Sequence, residues 1–96
     1  MKLLLIFVDA DHAADVAGVL DRHDITGYSE IPQILGKGVT GRKLGTRAFP
    51  GSSTLYFAAV PVGAAAALVE ALRALRAARG PEEGLKVYTL DTTELL

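Results

Sequence analysis

The segment "GKGVTGRKLGTR", residues 36–47, gathers the residues of this chain best suited to holding an anion. Gly36, Gly38 and Gly41 repeat as G-x-G-x-x-G, and Lys37, Arg42, Lys43 and Arg47 add positive charge with no acid among them. Glycine lets backbone N–H groups approach a phosphate or carboxylate, and the cationic heads neutralise it. Dinucleotide-binding folds use the same spacing, but they place the glycines between a strand and a helix. Here no apolar helical pattern follows Gly41. The chain runs through Gly45, Pro50 and Gly51 into a strand, and the next acid is Glu70. A P-loop fails for the same reason, since no Gly-Lys-Ser/Thr leads into a helix. Three readings remain: a hairpin connection answering only to turn geometry, an anion site, and a docking finger for a protein partner. Long connections in small domains more often carry function than not.

Other candidate chemistry is weaker. His12 and His23 stand 11 residues apart, roughly 16 Å along a helix, too far to share one metal within a subunit. Asp11, His12 and Asp15 would make a weak metal site, but acids near a helix start are explained by the helix dipole. Ser52 and Ser53 lack the strand-turn-helix setting of a nucleophile elbow and suit turn chemistry. Asp91 and Glu94 read as solvated. With no nucleophile, base and orienter set, enzyme activity is not expected.

These residues belong to one domain of 96 residues with a net charge of −1, which argues against whole-molecule attraction to nucleic acid or membrane. Charge is nonetheless segregated. Residues 9–30 hold six acids against one Arg, whereas residues 31–69 hold no acid and four bases, all in the quoted segment. A basic loop on a neutral body suits a small anion better than a polymer. Cysteine is absent, so disulfides and thiolate sites are excluded, which fits a cytoplasmic protein. The start "MKLLLIFVDA" is too short in its apolar run for a signal core or a membrane span, so membrane insertion is not expected.

The elements follow from hydrophobic patterning. "KLLLIFV" (2–8) predicts a strand buried on both faces. Residues 9–24 predict a helix with Asp9 or Asp11 as N-cap and with Val16, Val19, Leu20 and His23 at helical spacing. Residues 25–34 predict a turn and a mixed strand, held to an edge by Pro32. "TLYFAAV" (54–60) is a second apolar strand. From Gly63 a helix sets Leu68, Leu72 and Leu75 on one face and ends in Arg76, Arg79 and Gly80. "LKVYTL" (85–90) is the last strand. The order is a ferredoxin-like βαββαβ, an α+β fold with two helices on one face of an antiparallel sheet and a long loop between strands 2 and 3. Its first and third strands are central, and these are the most apolar. Two helices cover one face, so the other needs cover, and self-association is the simplest source. RNA-binding domains share the fold and display aromatics on the open face. Tyr56 and Phe57 are adjacent and point to opposite faces, so nucleic acid is not an expected partner.

Three segments resemble the PII signalling family in its divergent PII-like branch: "VLDRHDITGYSEI" (19–31), "GKGVTGRKLG" (36–45) and "EGLKVYTLDTTEL" (83–95). The resemblance runs over nearly the whole chain. It implies a single PII-like domain over residues 1–96, with residues 36–53 as a flexible T-loop-like segment. It implies a homotrimer that binds an adenine nucleotide between subunits and regulates a transporter or enzyme through that loop. Carried onto this chain, the cleft would use Ser29 near the adenine, Gly36 and Gly38 at the loop base, and Gly84 in the opposing loop. The chain departs from the pattern at Leu85, beside Lys86, and at Ser53, both positions where the family carries lysine. Lys37, Arg42, Lys43, Arg47 and Lys86 are the substitute charge. ATP, ADP, AMP, a cyclic nucleotide or another small anion would be the ligand, with no cofactor required. A metal-responsive (CutA-like) trimer and a ligand-free adaptor that binds protein are the alternatives.

Overall fold

Lys2–Asp9 forms the first strand, β1, because its alternate side chains have two apolar surfaces to cover. Leu4, Ile6 and Val8 are buried beneath the helices, while Leu3, Leu5 and Phe7 on the other face are half-buried. The expected burial on both faces is thus complete on one face only. The computed structural model describes residues 1–25, 27–38, 41–43, 52–79 and 84–96.

After β1 the chain turns through a short 3-10 helix, Ala10–His12, into α1, Ala13–Arg22. This differs from a helix capped by Asp9 or Asp11: the residue before α1 is His12, with no side-chain cap bond. Asp15 lies in the first turn of α1. Val16, Val19 and Leu20 are buried as their spacing predicts, whereas His23 is exposed beyond the helix end. That end is a Schellman closure. Asp24 takes φ 58°, its N–H bonds the Asp21 carbonyl at 3.1 Å, and the Ile25 N–H bonds the Leu20 carbonyl at 2.9 Å. Ile25 is thereby buried against the core.

Strand β2, Ser29–Ile34, leads to a small hairpin of β3, Gly36–Gly38, and β4, Gly41–Lys43. Strand β5, Ser53–Val60, helix α2, Val62–Arg79, and strand β6, Lys86–Asp91, complete the chain. The main sheet is antiparallel throughout, in the order β2-β5-β1-β6. This is the ferredoxin-like arrangement, with the two most apolar strands in the middle. β2 is an edge strand, as Pro32 predicts, and a bulge with Gln33 at φ 60° separates its rungs at Ile31 and Ile34.

The core lies between the sheet and the two helices. Tyr56, Leu4, Ile6, Leu20, Leu68 and Leu72 are its largest fully buried side chains, each contributing about 1.5–3 kcal/mol of transfer free energy. Leu75, expected on the same face, is half-buried at its margin. The helices are tied where opposite dipole ends meet. Arg79 in the last turn of α2 donates to Asp15 in the first turn of α1 at 2.7 Å. No helix among the described residues is long and apolar enough to cross a membrane.

The helix-free face of the sheet is apolar. Register places Leu3 opposite Ala59 and Leu90, Leu5 opposite Phe57 and Tyr88, and Phe7 opposite Leu55. Ile31, Tyr88 and Leu90 on this face are 44%, 55% and 51% exposed. Tyr56 and Phe57 do face opposite sides: Tyr56 is buried under the helices and Phe57 is half-buried on the open face.

Candidate functional site

One end of the sheet collects most of the residues that patterning singles out. β1 ends there at Asp9, which pairs with Ser53 of β5, and Ser53 pairs in turn with Ile34 of β2. That rung closes the long loop, and Gly36 follows two residues later. The Ala10 N–H donates to the Ser52 carbonyl at 3.0 Å, fastening the turn after β1 to the entry of β5. On the other flank of β1, Lys86 opens β6 opposite Phe7.

Gly84 completes this end, and its backbone requires glycine. It adopts φ 72°, and a Cβ there would lie 2.7 Å from Oδ1 of Asp9. That oxygen is buried. Leu85, at the position where the family resemblance implies lysine, is 4% exposed and belongs to the core. Lys86 is exposed and is the first cation after it.

The loop base is more regular than a structureless connection. Gly36 pairs with Lys43, Lys37 with Arg42, and Gly38 with Gly41, so five of the expected ligand-binding positions sit on two facing strands. Among the described residues, a Cβ on Gly36 would meet nothing within 4 Å. Arg47 and most of the remaining loop lie outside the described residues, and so does Gly80. Ser29 is exposed on β2 opposite Phe57, several rungs from Ser53. The fold therefore brings Gly36, Gly84 and Lys86 to one end and leaves Ser29 partway along the edge strand.

Two features escape sequence reasoning. The first is Asp9, whose contact with Gly84 spans most of the chain. The second is a polar cluster under α1. The Tyr56 hydroxyl lies 2.5 Å from Glu30 Oε1 and 3.1 Å from the Ala13 carbonyl, and the Tyr28 ring meets Tyr56 edge-on at 5.7 Å. Burial, then the Glu30 carboxylate, push the Tyr56 phenol well above its ordinary pKa. Tyr28 is also raised, by burial first and then by the charges of Asp21 and Glu30. This cluster ties β2, which feeds the loop, to the start of α1.

Among the described residues no group of three metal-ligating side chains converges. His12 lies 3.8 Å from Asp15, which Arg79 already engages. A cleft of about 160 Å³ lies beside α2 and β6, lined by Val69, Leu72, Arg73, Arg76, Leu85 and Val87. It includes none of the residues expected to bind ligand.

The sheet order and the two helices on one face are those of the ferredoxin-like fold, in a form that similar solved structures share. Solved structures of that form include CPII from Thiomonas intermedia K12, a nitrogen regulatory PII-like protein. Its apo form matches with a TM-score of 0.71 and 21% identity, over 93% of this chain and 85% of that one. CPII bound to ADP, AMP and bicarbonate matches with a TM-score of 0.76 and 24% identity, over 93% and 82%. The form bound to ADP and bicarbonate gives 0.75 and 25% identity, over 93% and 82%. No protein-family model matches the sequence, and the search of curated proteins finds no match.

Proposed function

We propose that this protein is a PII-like signal-transduction protein: a homotrimer that binds an adenine nucleotide or another small anion in clefts between subunits. It regulates a transporter or enzyme through residues 36–53 and is not itself an enzyme. The observation that carries the reading is the convergence at one sheet end of the loop-closing rung Ile34–Ser53, Gly84 and Lys86. Ligands of CPII, namely ADP, AMP and bicarbonate, are of the class such an end would hold. Gly36, Lys37, Gly38, Arg42, Lys43 and Arg47 supply the loop side of the site, Gly84 and Lys86 the opposite side, and Ser29 the base contact.

The apolar open face supports self-association. Contiguous apolar surface of this kind is rarely left to water, and a cyclic assembly would cover it while setting β2 of one subunit near another chain. Ligand contacts at the loop base would favour one loop conformation, by no more than the ligand's differential affinity for the two states.

Calorimetric titration with ATP, ADP, AMP, cyclic AMP and bicarbonate, beside a solution mass measurement, tests this reading. Saturable heat from at least one nucleotide in a trimer supports it. A trimer that binds none of them, or a monomer, overturns it. Alanine at both Arg42 and Lys43 should weaken binding at least several-fold if these heads neutralise phosphate; unchanged affinity would assign them to partner docking.

A further inference from the structure

We propose that this chain pairs with a second copy along the free edge of β6, each copy inserting Leu95 into the other's α2–β6 cleft. The contact is additional to the open-face assembly and needs no nucleotide. Among the described strands, β6 ends the main sheet and pairs on one side only, with β1. β2 forms the opposite edge, where Pro32 and the bulge at Gln33 spoil it as a template. β6 has neither device, and its register to β1 is unbroken from Lys86 to Asp91. An unprotected edge recruits another strand, with main-chain bonds supplying affinity and side-chain pockets supplying specificity.

The chain carries both a pocket and an occupant for it. The cleft beside β6 has a volume of about 160 Å³, floored by buried Leu72 and Leu85 and walled by half-buried Val69 and Val87. A cavity of about 150 Å³ holds benzene, so a leucine side chain fits. Beyond β6, Leu95 is 87% exposed. Its own cleft is out of reach. The Thr92 N–H donates to the Met1 carbonyl at 3.1 Å, holding residue 92 at the end of β6 remote from Leu85. From there to Leu95 is about 11 Å at full extension, whereas the strand back to Val87 covers about 17 Å.

An antiparallel second copy removes the obstacle. With Leu90 facing Leu90 of the second copy, Leu95 stands opposite Leu85, on the face that holds the cleft. Glu94 then stands opposite Lys86, and unlike charges directly opposed stabilise a strand pair. Arg73 is engaged by Glu70 and Asp91 by Lys2, so among the described residues Lys86, Arg76 and Glu94 carry the charge of the contact. A parallel approach would set like ends together. The antiparallel pairing is isologous, each copy giving and receiving one Leu95, and it closes as a two-fold.

The test uses the full chain without nucleotide, because Lys86 is also placed on the ligand's flank. A mixture of isotopically labelled and unlabelled protein should show methyl NOEs between Leu95 of one copy and Val69 or Val87 of another. Sedimentation should give wild type twice the mass of Leu95→Asp, and Glu94→Lys should weaken the pairing several-fold. Both positions are exposed within the subunit, so neither variant should lose its fold, which circular dichroism checks. Equal masses, absence of those contacts, or a Glu94→Lys pairing as strong as wild type each overturns the proposal. The trimer reading survives all three, since contacts across Leu3 and Leu5 would persist. A monomeric wild type overturns both.

Discussion

The Tyr56 hydroxyl donates to Glu30 across 2.5 Å, joining a core side chain of a central strand to a carboxylate on the edge strand that feeds the long loop. The Ala13 carbonyl lies 3.1 Å from the same hydroxyl, so one proton serves the strand edge and the start of α1 together. Removing it should loosen both.

Tyr56→Phe is therefore expected to destabilise the fold by about 1 kcal/mol, the net worth of an ordinary hydrogen bond. Denaturant midpoints with an unchanged slope would show this. The loss should depend on pH. The folded phenol titrates above its ordinary 10.0, so its contribution is complete below about pH 10 and is lost as pH rises toward the folded value. Over that interval the unfolded chain has released a proton that the native chain retains. Wild-type stability should fall more steeply in alkali than that of Tyr56→Phe, and parallel profiles would refute the coupling.

Gly84→Ala should cost about 1–3 kcal/mol, because the side chain meets Asp9 at 2.7 Å and the backbone is left-handed. In a double-mutant cycle, part of that cost should vanish with Asp9→Ala, since the clash goes while the backbone strain stays. Strict additivity in thermal melts would show that strain is the whole effect.

Asp24→Gly is expected to stabilise the protein by about 0.5–1 kcal/mol. Asp24 occupies the left-handed position of the α1 closure at φ 58°, and its side chain is exposed. A lower melting temperature would mean that the carboxylate contributes more than the strain removes.

Leu90→Lys tests the open face. Leu90 is 51% exposed, and a surface change of this kind alters the stability of a single subunit by about 0.5 kcal/mol or less. Placed in a subunit interface, the charge should disperse the assembly. Sedimentation should then report a monomer of 10.1 kDa, and an unchanged mass would move the interface elsewhere.

How far the sequence discloses this architecture depends on the range of the interactions. β1, β5 and α2 are legible because their apolar periodicity is local and strong, and Pro32 marks its edge strand for a similar reason. The start of α1 is not legible. Asp9 has the right side chain for a cap, but its carboxylate packs against Gly84 at the far end of the chain, and the helix begins four residues later behind a 3-10 turn. Leu85 reads as a missing cation until its burial shows a core side chain. The β3–β4 hairpin is hidden because glycines at Gly36, Gly38 and Gly41 fit a turn as well as a ladder. Of the candidate site, the loop base and Gly84 are visible as residue types, whereas their meeting around Asp9 requires the folded sheet.

The Ile34–Ser53 rung closes the sheet beneath everything inserted between them. The entropy of such a closure grows only with the logarithm of its length, so doubling the insert would cost about 0.6 kcal/mol. The four-stranded platform can thus accept new lengths and compositions at this position with its packing unchanged. What the insert touches is free to diverge between related chains while the scaffold below it stays the same.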